Sequence, residues 1–184
     1  MAEAERLTFK PVTPARWDDF ERLFEAPGGP KYCWCMTWRA SAAESREHPG
    51  GKSRKPLMEG RIKGGTSVGL LGYLGDDPVA WVSIAPRETY RDLGGPPAAE
   101  GETIWSLACM YVARRHRKQG YGRDLIEAAM AYAKKRGATV LEAYPVDPNS
   151  PSYRFMGFVP AFDRLGFKPA GRAGSRRQIM RLDL

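Results

Sequence analysis

The stretch that decides the fold is Met110-Tyr111-Val112-Ala113-Arg114-Arg115-His116-Arg117-Lys118-Gln119-Gly120-Tyr121-Gly122-Arg123. An apolar strand, Thr103 to Val112, leads into it. The best helix of the chain, Gly120 to Arg136, leads out, with Leu125, Ile126, Ala129, Met130 and Ala133 at helical spacing. Lys134, Lys135 and Arg136 suit the negative end of that helix, and Gly137 stops it. The first amides of a helix have no partners within it, and the helix dipole adds positive potential there. Glycines let backbone approach an anion closely. Five bases, Arg114, Arg115, Arg117, Lys118 and Arg123, lie within ten residues with no acid among them. Such a loop suits phosphate. It lacks the Lys-Ser/Thr of a nucleoside-triphosphate loop, and the third glycine and distal acid of a dinucleotide loop.

Outward from this loop the chain reads as one α/β domain. Thr139 to Val146 is the strand after the helix, so the strand-helix-strand unit predicts two parallel neighbours. Leu7 to Val12 reads as a first strand. Thr13-Pro14 opens a helix carrying Trp17, Phe20, Leu23 and Phe24. Ser67 to Leu74 and Val79 to Ala85 flank Gly75-Asp76-Asp77-Pro78 as a hairpin. Residues 91–102 read as a loop, Pro160 to Leu165 as a short helix, and 167–183 as two strands joined around Gly174. Residues 31–66 have little period, although a helix from about Ser53 to Lys63 is predicted, with Pro56 in its first turn.

The 184 residues are enough to bury roughly 70% of the unfolded surface, so no disulfide or metal is required for folding. The formal charge of +8 suits an anionic partner, which could be a polyphosphate cofactor, nucleic acid or an acidic substrate. A second basic excess runs from Arg154 through Arg164, Lys168, Arg172, Arg176 and Arg177 to Arg181. No apolar run approaches the ~18 residues of a membrane span, and the start, Met1 to Arg6, is polar. A cytosolic protein without a membrane partner is expected, as a monomer or homodimer. Three cysteines, Cys33, Cys35 and Cys109, with His48 and His116 make a poor metal set, so no metal is expected.

The glycine loop after Met110-Tyr111-Val112, with Leu165-Gly166-Phe167 downstream, resembles the GNAT superfamily of acyl-CoA-dependent N-acyltransferases. Cys33-Trp34-Cys35-Met36, Trp38-Arg39, Trp81 to Arg87 and Tyr144-Pro145-Val146 resemble a bacterial subgroup of it. The resemblance implies a mixed central sheet flanked by helices, with parallel strands splayed at the cofactor site. It implies acetyl-CoA as donor, an acyl-CoA-binding core over 103–168 and a variable acceptor-side segment over 27–66. Backbone groups of Met110, Tyr111 and Val112 would pair with the pantetheine arm. Arg117, Lys118, Gln119, Gly120, Tyr121, Gly122 and Arg123 would hold the pyrophosphate. Arg114, Arg115 or Lys118 would neutralise the ribose phosphate. The expected activity is acetyl transfer to a small-molecule amine. An action on RNA or aminoacyl-tRNA, and a non-catalytic CoA-binding role, are the alternatives.

Amine acylation by a thioester needs the amine deprotonated, the oxyanion stabilised and the leaving thiolate protonated. A backbone amide near Met110 is the candidate oxyanion contact. The family's usual acid, a tyrosine four residues before the Gly-Phe pair, falls on Phe162, which has no proton to give. Tyr144, Tyr153 and, more weakly, Ser106 are the substitutes. Glu142 and Tyr144 alternate onto one face of a strand, so Glu142 is the first candidate base. Its other reading is an ion pair with an arginine. Glu102 and Asp147 are further options. Cys33 and Cys35 read as buried thiols, an acceptor-site pair or a redox pair. Cys109 reads as core, with no histidine placed to activate it. Trp34, Trp38 and Trp81 read as core, and Arg39 and Arg87 as surface groups or as holders of an acidic acceptor.

Overall fold

The computed structural model describes residues 5–184; Met1 to Ala4 of the polar start lie outside the described residues. Seven strands form one sheet, with four antiparallel neighbours on one side of its single parallel step and three further strands on the other. The strands are β1 (Thr8–Pro11), β2 (Gly69–Leu74), β3 (Asp77–Pro86), β4 (Ile104–Val112), β5 (Val140–Ala143), β6 (Lys168–Ala173) and β7 (Arg177–Asp183). Their order across the sheet is β1-β2-β3-β4-β5-β7-β6. The helices are α1 (Trp17–Glu25), α2 (Ala42–Glu47), α3 (Gly51–Lys63), α4 (Tyr121–Lys135) and α5 (Val159–Arg164).

The parallel step is β4 beside β5, with α4 as the crossover, as the strand-helix-strand reading requires. Leu125, Ile126, Ala129 and Ala133 of α4 are buried against Trp105, Leu107, Leu141 and Ala143 on one sheet face. On the other face Trp17, Phe20 and Phe24 of α1 meet Trp34 and Trp81, joined by Met58 and Ile62 of α3. Trp34 and Trp81 are thus core residues. Residues 31–66 hold two helices. One, α2, has a capping box that the sequence shows as Ser41-Ala-Ala-Glu44. Ser41 Oγ accepts from the Glu44 amide at 3.1 Å and Glu44 Oε2 from the Ser41 amide at 2.8 Å. The other, α3, starts at Gly51, so Pro56 stands in its second turn rather than its first. A side chain at position 51 would run into the Lys31 carbonyl, which accounts for glycine there.

Two irregularities in the sheet build the functional end. The β3–β4 register slips by one residue between Ser83–Cys109 and Ile84–Leu107, leaving Ala108 as an extra residue. Side-chain parity changes across the bulge. Trp105 and Leu107 face α4 before it, whereas Met110 and Val112 face α4 after it. Cys109 and Tyr111 are thereby turned to the α1 side. The second irregularity is a divergence. β4 and β5 pair only from Ile104–Val140 to Leu107–Ala143. Beyond Ala143 the chain turns away, and Val146 bridges instead to Phe158 and Arg177. The parallel strands are splayed.

Candidate active site

Beyond Leu107, β4 keeps β3 as a partner and has no β5 partner. The 2.8 Å bond from the Ala113 amide to the Val79 carbonyl fixes the phase of that ladder. Residues opposite each other alternate between bonded and non-bonded pairs in an antiparallel ladder. Cys109 and Tyr111 therefore turn their backbone groups to β3, and Met110 and Val112 turn theirs into the gap. Arg117 Nε caps the Val112 carbonyl at 2.9 Å, as an edge group open to a ligand permits.

The gap leads to the amino end of α4. Lys118 and Gly120 have φ of +64° and +87°, and this left-handed pair folds the loop back over the first turn. Among the described residues, the amides of Lys118, Gln119, Gly120, Tyr121 and Gly122 meet no backbone or side-chain acceptor. No atom lies within 4 Å of the place a Cβ would take at Gly120 or Gly122. A pyrophosphate fits such a cradle of free amides. The Tyr121 side chain is buried, its hydroxyl bonding the Glu5 carbonyl at 2.9 Å, so only its amide is available. Arg123 pairs with Glu127 at 2.8 Å, whereas Arg114, Arg115, Arg117 and Lys118 have no acid partner among the described residues.

The opposite end of the gap opens into a cavity of about 400 Å³. Its walls include Met110, Tyr111, Tyr153 and Phe155, and it also takes in Cys35 and Cys109. Trp38, one of the three tryptophans read as core, lines this cavity. Arg91 stands at its rim, and Tyr32, Tyr153 and Phe155 are exposed around its mouth. Of the two phenols weighed as proton donors, Tyr153 reaches this cavity and Tyr144 does not.

Glu142 and Tyr144 do share a face and are in contact, with the Tyr144 hydroxyl donating to Glu142 Oε1 at 2.6 Å. The same hydroxyl meets Ser106 Oγ at 2.7 Å. Burial and the carboxylate beside it push the Tyr144 phenol well above its ordinary pKa. Glu142 Oε2 receives Arg181 Nε at 2.8 Å and lies 3.5 Å from Arg87 Nη1. The carboxylate has no exposed surface, and the Gly95 backbone passes directly over it. Glu142 thus occupies the ion-paired environment of its second reading, and Arg87 is its partner rather than a surface group. Glu102 accepts the Ala99 amide at 2.8 Å and lies 3.6 Å from Arg181. Arg39 is the largest departure from expectation, being buried at 4% exposure.

Phe162 is fully buried and meets Phe167 edge-on with ring centroids 5.1 Å apart. A Cβ at Gly157 would touch both the Phe162 ring and Met110 Cε at 2.7 Å, so Phe162 sits just behind the gap. Phe162→Tyr is expected to leave CoA binding intact. It should cost about 1–3 kcal/mol of stability, because a hydroxyl there is buried without a ready acceptor. Chemical denaturation and a CoA titration check this. A higher turnover in the variant would show that a phenol at this place reaches the leaving thiolate.

The second basic stretch is mostly exposed, although several of its side chains are tied to the protein by hydrogen bonds. Arg154 bonds the carbonyls of Pro148 and Ser150 at 2.7 and 3.1 Å, and Arg176 bonds Ser152 Oγ at 2.7 Å. Arg177 lies over Trp38 and Arg181 pairs with Glu142. No cluster that could hold a metal ion occurs among the described residues. No helix among them is long and apolar enough to cross a membrane.

The parallel pair β4–β5 splays beyond Ala143, and the glycine-opened helix α4 starts beside the splay. The GNAT acetyltransferase family model matches residues 16–158, and the chain belongs to that family. Acetyl-CoA-dependent transfer of an acetyl group is the family's general chemistry. Among solved structures, the chain is similar to an acetyltransferase from Thermus thermophilus, with 18% identity, 97% of each chain covered and a TM-score of 0.58. It is also similar to the PaiA N-acetyltransferase of Thermoplasma acidophilum in complex with coenzyme A. There the identity is 16%, the coverage 97% of this chain and 99% of that one, and the TM-score 0.55. A ribosomal-protein-alanine N-acetyltransferase from Brucella melitensis shares 19% identity over 97% of this chain and 100% of that one, with a TM-score of 0.57. At these identities the likeness is one of fold. No curated protein matches the chain.

Proposed function

We propose that the protein is a cytoplasmic N-acetyltransferase that carries acetyl from acetyl-CoA to a small-molecule amine. The observation that carries this reading is the continuity of three features along β4. Free amides open α4, the outward-facing backbone of Met110 and Val112 follows, and the aromatic-walled cavity lies at the far end. In this reading the amides of Lys118 to Gly122 hold the pyrophosphate, with Arg117 and Arg123 beside them. Arg114, Arg115 or Lys118 meets the ribose phosphate. The pantetheine arm extends the sheet along Met110 to Val112, and its thioester arrives beside the cavity.

The amine acceptor enters between Tyr32, Trp38, Tyr153 and Phe155. Among the described residues no carboxylate lines this cavity and most of its wall is apolar or aromatic, so an acceptor with an apolar or aromatic body is favoured. The Met110 amide faces the thioester oxygen as its stabiliser. Tyr153 is the phenol placed to protonate the departing thiolate. Glu142 and Tyr144 serve as positioning residues that hold the point where β4 and β5 part.

Thermal unfolding with acetyl-CoA, CoA and ATP tests the cofactor. A ligand at 100 times its Kd stabilises by about 2.7 kcal/mol, which raises Tm by roughly 5–10 °C in a domain of this size. Both CoA species should produce the shift and ATP should not. No shift with acetyl-CoA at millimolar concentration would refute the reading. An amine screen with thiol release as readout then tests transfer.

A further inference from the structure

Tyr32, Tyr153 and Phe155 are the large apolar side chains left exposed among the described residues. They come from two segments far apart in the chain, yet all three stand on one cavity, the one that adjoins Met110. Trp38 continues the set. Its ring lies 5.9 Å from that of Tyr153, which lies 6.3 Å from that of Phe155. The Tyr153 backbone is left-handed, with φ of +59°, a conformation that a non-glycine residue keeps where its surroundings hold it. Exposed rings gathered at one mouth mark a site for a flat apolar body. The cavity volume of about 400 Å³ falls within the range of small-molecule sites.

Charge enters this cavity at one place. Among the described residues Arg91 is the single charged group on its wall. The Arg91 amide donates to the Trp38 carbonyl at 2.9 Å and its Nη1 to the Thr37 carbonyl at 3.4 Å, and its guanidinium lies 5.2 Å over the Trp38 ring. Glu88 and Asp92 border an adjacent cleft with Arg91 and form no ion pair with it. Asp92 Oδ1 instead accepts the Gly94 amide at 2.8 Å. A second cation stands on the same indole. Arg177 lies 4.8 Å over Trp38 and 5.6 Å over Tyr153, with its Nη1 on the Leu93 carbonyl at 3.3 Å. It too has no acid partner among the described residues. Burial, and after it the charge of Arg91, pull the Arg177 pKa below its ordinary value. Two guanidiniums over one ring, with no carboxylate between them, repel each other, and the ring quadrupole offsets this only in part. An anion in the cavity would relieve it. Arg39 and Arg87, the other arginines considered for an acidic acceptor, do not line the cavity. Arg39 is buried on the Val68 carbonyl, and Arg87 is committed to Glu142.

We propose that the acceptor is an aromatic amine that carries a carboxylate, and that Arg91 is the residue that selects it. This rests on the reading of the site as an acyl-CoA acyltransferase and names its substrate class. The aromatic body lies among Trp38, Tyr153 and Phe155. The carboxylate meets the Arg91 guanidinium, whose planar fork matches two carboxylate oxygens. Arg177, over the same indole, adds positive potential. The amine is left free to face the thioester beside Met110. A neutral aromatic amine fills the ring site but leaves Arg91 unpaired, and a polycationic amine meets repulsion there, so the same residue that attracts one class rejects the other.

The test gives the full chain acetyl-CoA and matched acceptors, with thiol release as readout: phenylalanine against phenethylamine, tryptophan against tryptamine, and aminomethylbenzoate against benzylamine. Each pair differs by its carboxylate. The expected result is a kcat/KM at least tenfold higher for the carboxylate in the pair whose spacing fits the site. Arg91→Gln should cut that ratio by roughly tenfold to a hundredfold, the worth of a charge-assisted hydrogen bond. A merely structural role would lower both members of a pair alike and leave the ratio unchanged. Calorimetric titration of the CoA-loaded protein with phenylpropanoate and phenylpropanamide reads the site without turnover. The carboxylate should bind, the amide should not, and Arg91→Gln should lose the difference. Neutral amines accepted as well in every pair, phenylpropanoate left unbound, or a ratio that survives Arg91→Gln would overturn the proposal and leave the acyltransferase reading standing. Binding of phenylpropanoate with no transfer to any amine, or no Tm increase with either CoA species, would overturn both. The comparison within each pair needs no variant, so it decides if Arg91→Gln does not fold.

Discussion

Gly120→Asp is expected to abolish acetyl-CoA binding while leaving the fold in place. Gly120 is the N-cap of α4 with φ of +87°. Aspartate is among the non-glycine residues that tolerate this conformation best, and it is a strong helix cap. It also complements the dipole of the helix it opens. The space for its side chain is clear. The left-handed backbone still strains any side chain, so a loss of about 1 kcal/mol is expected, which is too little to unfold the domain. Binding is another matter, because the new carboxylate stands where the pyrophosphate belongs and consumes amides meant for it. Two like charges about 4 Å apart repel by about 4 kcal/mol at an effective dielectric of 20. That corresponds to roughly a thousandfold in Kd. Calorimetric titration with CoA checks it. Affinity within tenfold of the parent would mean that the phosphate sits elsewhere.

The largest effect on stability is expected at Glu142. Glu142→Ala leaves Arg181 and Arg87 facing each other without the carboxylate between them, and removes the acceptor of the buried Tyr144 hydroxyl. Breaking a buried ion pair from one side costs about 3–5 kcal/mol. For a domain of this length each kcal/mol lowers Tm by roughly 2–4 °C, so a fall on the order of 10 °C should appear in a thermal melt. The two carbonyl bonds of the arginines to Pro96, at 2.8 and 2.7 Å, limit the loss by keeping their side chains in place. A near-unchanged Tm together with lost turnover and intact CoA binding would return Glu142 to the role of general base.

The βαβ unit, the hairpin, the closing strands and the glycine loop that opens α4 were legible because each rests on local chemistry. Apolar period, glycine position and charge sign are all written along a few neighbouring residues. The Gly120–Gly122 loop and α4 lie where that reading put them. Helix α2 was missed although Ser41 and Glu44 carried its capping signature, because the polar hexapeptide between Ser41 and His48 offers no apolar period. The catalytic side was much less legible. The sequence shows Glu142 as a carboxylate in a strand, but it does not show that Gly95 closes over it, or that Arg87 and Arg181 converge from the end of β3 and from β7. Arg39 likewise reads as a surface group until the loop around it is packed.

By itself the sequence determined the fold class, the parallel crossover and the glycine-opened helix start, since periodicity and backbone freedom act over short distances. The tertiary structure alone decided which chemical groups meet. A single extra residue, Ala108, reverses the facing of β4 and brings Cys109 to the side of Cys35. The splay beyond Ala143 exposes the backbone of Met110 and Val112. Pairings between residues far apart in the chain depend on register and burial, and no local pattern in the sequence encodes either.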